Sequence, residues 1–197
     1  MKENVRILFK ENNGVLKAAS LYTFGVTRNE MSEMLKSEKI IRVKKGYYQV
    51  NEFNPANDVA LITQLFPEAI LCRETALFYY GYSDRTPSKW NISVARSFSK
   101  SRLKITYPFI KTYFVEERFL KIGVGVGEIS GVKVLIYDRE KTICDCIRHR
   151  NKMDSEMFAK VIQSYLADIS KNIVNLSIYS KQLNISKKTQ ELIGIWL

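Results

Sequence analysis

"GVTRNEMSEMLKSEKIIRVKKGYYQV", residues 25–50, decides how the start of this chain is read. Thr27 stands three residues before Glu30, the spacing of a capping box, in which the Thr side chain takes the backbone N–H of Glu30 and the Glu reaches back. The spacing predicts a helix from about Arg28, with Met31, Met34 and Leu35 on one inward stripe. Arg28, Asn29, Ser32 and Lys36 are left outward, hydrogen-bonding types that suit base edges and phosphates. Glu33 shares that side, and its charge opposes phosphate. Beyond the helix, "IIRV" and "YYQV" are β-rich runs joined by "KKG", so Lys44, Lys45 and Gly46 are expected at the tip of a tight hairpin that also carries Arg42.

Upstream, "LKAASLYTFG" suggests a short helix using Leu16, Ala19 or Ser20, Tyr22 and Phe24, closed by Gly25 at a left-handed corner. "VRILF", residues 5–9, supplies an earlier helix with Val5, Leu8 and Phe9 inward. Helix, helix, turn, capped helix and basic hairpin is the order of a winged helix-turn-helix. In that fold the capped helix enters the major groove and the hairpin tip meets the backbone or minor groove. The expected DNA-contacting set is therefore Thr27, Arg28, Asn29, Ser32, Lys36, Arg42, Lys44 and Lys45. The same elements also suit a protein-docking module with a solvated charged face.

Charge agrees with a polyanionic partner. The chain has 197 residues and a formal net charge of +11, with 31 Lys+Arg against 20 Asp+Glu. Residues 1–50 hold ten Lys+Arg and five Glu, so the surplus is denser at the start. The first residues carry no long apolar run of a signal peptide, and no stretch approaches the ~18 apolar residues of a spanning helix. Three cysteines, an odd and sparse set, fit a reducing cytosol. Cys144, Cys146 and His149 are close in sequence, but as buried or half-buried positions on one helix they span too little of a tetrahedron for a structural zinc site. No metal and no cofactor is expected.

"NEFNPAND", residues 51–58, is polar and holds Pro55, which could open the next helix. It divides a DNA-binding domain, residues 1–54, from a mixed α/β domain, residues 58–197, that ends in helices. The fold class is α+β. Expected in the second domain are a helix with Val59, Ile62 and Phe66, a short apolar run, a helix closed by Gly81, and strands at Asn91–Ala95, "LKITYPFIKTYFV" and "VKVLIY". Helices should follow at Arg139 to about Arg150, at Asp154–Ile169 and, as a pair, within 175–197, with Ser186 as a cap. "GVGVGE", residues 123–128, lacks nucleotide-loop spacing and reads as a loop or hairpin turn. "YDREKTICD" clusters Asp138, Glu140, Lys141 and Asp145. A metal-dependent nuclease would need an acid where Arg139 stands, so Asp138 reads as a helix cap and no catalytic set emerges. The basic loop at 95–104 adds Arg96, Lys100, Arg102 and Lys104. With Lys17, three of these (Arg96, Lys100 and Arg102) are candidate extra phosphate contacts; a solvated loop fits equally.

Three stretches in this order resemble the AbiEi family, antitoxins of type IV abortive-infection toxin–antitoxin systems. They are "IIRVKKGYYQV", "FPEAILCRETALFYYGYSDRTPSKWNISVARS" and "DREKTICDCIRHRNKMD", the last with Lys141, Thr142 and Asp145 in the family's Lys/Arg-Thr-x-x-Asp pattern. The likeness covers most of the chain. It implies a bacterial cytoplasmic autorepressor that binds inverted repeats in its own promoter. It also implies a second domain that opposes a nucleotidyltransferase-like toxin without a stable complex; it assigns no residues to that protection. The rival readings are a plain winged-helix regulator with a ligand- or partner-sensing domain, and a DNA-tethered nuclease.

Overall fold

Caps and glycines punctuate the first elements of the chain. The computed structural model describes residues 1–51, 58–105 and 107–194. The chain opens with α1 (Glu3–Glu11), β1 (Val15–Lys17), α2 (Ala18–Thr23), α3 (Arg28–Lys36), β2 (Ile40–Lys44) and β3 (Tyr47–Val50). The strands form an antiparallel sheet in the order β1-β3-β2, with Tyr48 opposite both Leu16 and Arg42. Val5, Phe9, Leu16, Leu21, Val26, Met31, Met34, Ile40 and Val50 form one buried cluster beneath it, with Leu8 and Leu35 partly buried against it.

Two details differ from the sequence reading. Val15 and Leu16 are drawn into β1, so α2 starts only at Ala18. That phase sends Leu21 inward and leaves Tyr22 and Phe24 44% and 45% exposed. At the hairpin, Lys44 is the last residue of β2 and pairs with Tyr47; the turn itself is Lys45–Gly46, with Gly46 at φ +81°.

Helix α4 (Asp58–Leu65) buries Val59, Ala60, Leu61, Ile62 and Leu65, so it is apolar nearly all round and lies within a core. It packs on β1. The chain divides into two compact units: Met1–Pro67 with Ser99–Pro108 and Ile129–Val132, and Glu68–Phe98 with Phe109–Glu128 and Lys133–Leu197. The expected boundary at 54–58 falls mainly on residues 52–57, as does Pro55, outside the described residues. Helix α4, assigned by sequence to the second domain, belongs to the first unit because its apolar surface is met there. The phenol of Tyr107, in one of the returning segments, donates to the carboxylate of Asp58.

The second unit holds β4 (Ile70–Leu71), α5 (Arg73–Tyr79), β5 (Trp90–Ala95), β6 (Ile110–Val115), α6 (Glu117–Leu120) and, apart from Ile129 and Val132 at their joined ends, β7 (Val124–Ile129) and β8 (Val132–Tyr137). Then come α7 (Arg139–Arg148), α8 (Ser155–Ala167), α9 (Ile173–Gln182) and α10 (Ser186–Ile193). The five-stranded sheet has the order β6-β5-β4-β8-β7. β4 pairs antiparallel with β5 and parallel with β8, and β5 pairs parallel with β6. Helices and mixed sheet make the fold α+β.

The glycine run read as a loop is strand β7. A Cβ on Gly127 would sit 2.9 Å from the Tyr79 hydroxyl and 3.0 Å from Ile136 Cγ2, so glycine there permits close approach rather than flexibility. The strand read in "LKITYPFIKTYFV" begins only at Ile110; Lys100–Leu103 is a 3₁₀ turn, and Pro108, which has no N–H for a ladder, precedes the strand. Ser186 is the first residue of α10 and Ile185 its cap.

Helix α7 is the hub of this unit and packs against α5, α8, α9 and α10. Asp138 caps it, accepting the Lys141 N–H at 2.8 Å and the Tyr179 hydroxyl at 3.0 Å. Glu140, 4% exposed, accepts the Asn172 N–H at 2.7 Å and the Tyr165 hydroxyl at 3.3 Å. Lys141, 2% exposed, donates to both oxygens of Asp145 at 2.7 Å. Every buried side-chain polar atom among the described residues has a hydrogen-bond partner, as burial without one would be costly. Among those residues no helix is long and apolar enough to cross a membrane.

Candidate nucleic-acid interface

Thr27 Oγ1 accepts the Glu30 N–H at 3.2 Å, and the Glu30 carboxylate accepts the Thr27 N–H at 2.8 Å. The capping box is complete, so two otherwise unpaired N–H groups are met and the first turn of α3 is held. Glu30 also pairs with Lys2 at 2.7 Å. The Lys2 ammonium first, then the Thr27 amide, hold its carboxyl well below the usual range, at about 2. Its charge is thus spent on the cap and on Lys2, away from the outer face of α3.

On that face Arg28, Asn29, Ser32 and Lys36 are all exposed, as the stripe of buried Met31 and Met34 requires. Glu33 is exposed too, but it lines a cleft beside α1 with Lys2, Val5, Gly25 and Glu30. The two acidic residues therefore gather at the α1 edge of the helix.

The hairpin separates its basic residues. Lys45, at the turn, and Arg42 are exposed. Lys44 is half-buried: its ammonium donates to the backbone carbonyl of Arg102 and lies 5.3 Å from the Phe66 ring centre. Burial, and secondarily the Arg102 charge, lower its pKa. Lys44 thus anchors the hairpin stem rather than extending from its tip. Lys17 is exposed at the end of β1, where its register partner is Tyr47, and its ammonium stands 5.8 Å from the Tyr47 ring.

The remaining phosphate-contact candidates part company. Lys100 and Arg102 are exposed on the 3₁₀ turn that belongs to the first unit, and the Lys44–Arg102 bond ties that turn to the hairpin across 58 positions of sequence. Arg96 belongs to the second unit, where it pairs with Glu116 at 3.5 Å. Nothing in local spacing marked this split; it depends on which core each loop returns to. In the second unit, Asp138 and Asp145 are engaged as helix cap and buried ion pair. Cys72, Cys144 and Cys146 are buried, and burial pushes the Cys72 and Cys144 thiols up to about 12.

Neither a protein-family model nor a curated protein matches the chain. Among solved structures, the fold is similar to that of the RV2827C protein from Mycobacterium tuberculosis, with a TM-score of 0.54 and 11% sequence identity over 96% of this chain and 79% of that one. At that identity the likeness is one of fold.

Proposed function

We propose that the first unit is a winged helix-turn-helix that binds duplex DNA. The observation that carries this reading is the outer face of α3. It presents Arg28, Asn29, Ser32 and Lys36 to solvent, with Glu30 and the exposed Glu33 gathered at the α1 edge, on a helix fixed by a complete cap. Support comes from the exposed Lys45 at the hairpin turn and from the basic 3₁₀ turn docked on its stem. A helix for base edges and flanking cations for phosphates are the two parts that sequence-specific binding needs. In this reading Lys44 orients the hairpin and the Arg102 turn, and Lys45 meets phosphate.

The resemblance to AbiEi antitoxins extends the proposal. The chain represses its own promoter through the first unit, and the second unit opposes a nucleotidyltransferase-like toxin in a bacterial cytoplasm without a stable complex. A regulator whose second unit senses a ligand shares the DNA-binding half and is told apart by a toxin-rescue assay.

The DNA reading is tested by gel-shift titration on the native promoter over a range of salt. Affinity should fall steeply with salt, because phosphate contacts release counterions. Arg28→Ala should cost ~1–3 kcal/mol on the operator and less on unrelated DNA, as the loss of a base contact does. Equal loss on both, or none, would remove Arg28 from the reading element.

A further inference from the structure

The second unit contains a cationic cleft that the DNA reading does not use. It encloses about 310 Å³ between α5, β5, β6 and α7. A neighbouring cleft of about 390 Å³ shares Arg73, Tyr113, Asp145 and His149 with it. Both volumes are at the small end of the ~300–1,000 Å³ range of small-molecule sites, too small for a folded partner.

Charge in the first cleft is unbalanced. Its cationic lining is Arg73, Arg96, Lys141 and Arg148, against Glu116 and Asp145. Lys141 and Asp145 close on each other at 2.7 Å, and Arg96 pairs with Glu116 at 3.5 Å. Arg73 and Arg148 have no carboxylate partner among the described residues. Instead Arg73 lies 3.8 Å above the Tyr113 ring and Arg148 5.4 Å from the Phe119 ring. Ring faces orient a guanidinium without neutralising it, which leaves its forked N–H donors for an anion.

The backbone carries a second, independent sign. Arg73 has φ +49°, a left-handed conformation that a long side chain rarely adopts. It follows Cys72, which is fully buried and held by its N–H on the Asn91 carbonyl at 3.0 Å. Strain of this kind persists where the surroundings enforce it, and it clusters at ligand sites. Here it accompanies a guanidinium held against Tyr113 on the wall common to both clefts.

We propose that this cleft binds a small organic phosphate monoester, its phosphate held by the forked donors of Arg73 and Arg148. Arginine pairs of this kind match phosphate geometry in a bidentate manner. The ester's organic part occupies the adjoining cleft, past Tyr113 toward Met153 and Met157. The buried Lys141–Asp145 pair forms the floor and keeps α7 in place as a positioning element. This inference is independent of DNA binding.

Isothermal titration of the intact protein tests it. The probes are the ribonucleoside monophosphates, glycerol phosphate, glucose phosphate, inorganic phosphate and the unphosphorylated nucleosides. At least one monoester should bind at least about tenfold more tightly than its unphosphorylated counterpart and than inorganic phosphate. Arg148→Gln and Arg73→Gln should each weaken it by about tenfold or more, the scale of a lost charge-assisted hydrogen bond. Lys45→Gln, which removes a charge from the other unit, should leave it unchanged. Arg148 is exposed, so its variant remains informative if Arg73→Gln misfolds by circular dichroism. Absence of binding by every monoester, equal binding of ester and nucleoside, or full affinity in Arg148→Gln would overturn the assignment.

Discussion

Thr27 shows how much one side chain can hold in the first unit. Its hydroxyl meets the Glu30 N–H and its own N–H is met by Glu30, so Thr27→Ala removes half of a reciprocal pair. Thermal or urea unfolding should register a loss of about 1 kcal/mol, the usual worth of such a cap. An unchanged midpoint would mean that water replaces the cap at no cost. His149, the single histidine of the chain, carries a pH signature. Burial first, and then the charge of Arg73, depress its pKa from 6.5 to about 4. Between those values the unfolded chain holds a proton that the folded chain does not, so stability rises with pH across this window. It is fully present above pH 6.5 and lost as pH falls toward 4. Urea midpoints measured on wild type and on His149→Gln should diverge at neutral pH relative to pH 4, with the variant the flatter of the two. Parallel curves would show that the imidazole is as accessible to protons folded as unfolded.

At the scale of the element, the β2–β3 hairpin assigns different work to adjacent lysines. Lys44 donates to the Arg102 carbonyl and covers the Phe66 ring; Lys45 stands in solvent at the turn. Lys44→Ala should cost about 1 kcal/mol of stability through the lost hydrogen bond. Lys45→Ala should change stability by less than about 0.5 kcal/mol while lowering the salt slope of DNA binding by about 1. Paired unfolding and gel-shift series on the two variants check this, and interchangeable effects would refute the division. The sequence showed the hairpin but could not separate these lysines, because Arg102 and Phe66 reach Lys44 through tertiary contacts. Strand β7 was hidden for a related reason. Its glycines look like a loop until Tyr79 and Ile136 are seen to fill the space a Cβ would need.

At the scale of the whole molecule, two units with separate cores predict separable roles. The α3 and hairpin residues belong to the first unit; α7 and the cationic cleft belong to the second. The intact chain carrying Arg28→Ala, Lys36→Ala and Lys45→Ala leaves Lys44 and every buried contact in place. A reporter strain should then lose promoter repression. Under the proposed antitoxin role, growth rescue should persist when the nucleotidyltransferase-like toxin is induced from an unrelated promoter. If the variant folds by circular dichroism yet fails to rescue, protection depends on DNA binding, and the plain-regulator reading takes precedence.

The sequence by itself determined the features that depend on neighbours along the chain. The Thr27–Glu30 box, the Met31 and Met34 stripe, the Asp138 cap, the strand at Val132–Tyr137 and the α+β class all rest on spacings within a helical turn or a pleat. Such spacings act before any distant segment arrives. Tertiary structure alone decided what depends on contacts far apart in sequence. It assigned α4 and the 99–108 segment to the first unit, moved Lys44 from tip to stem, and separated Arg96 from Lys100 and Arg102. It also brought Arg73, Tyr113 and Arg148 to one cleft. In each case the deciding partner, a carbonyl, a ring or an apolar face, lies tens of residues away, and only packing into a common core brings the two together.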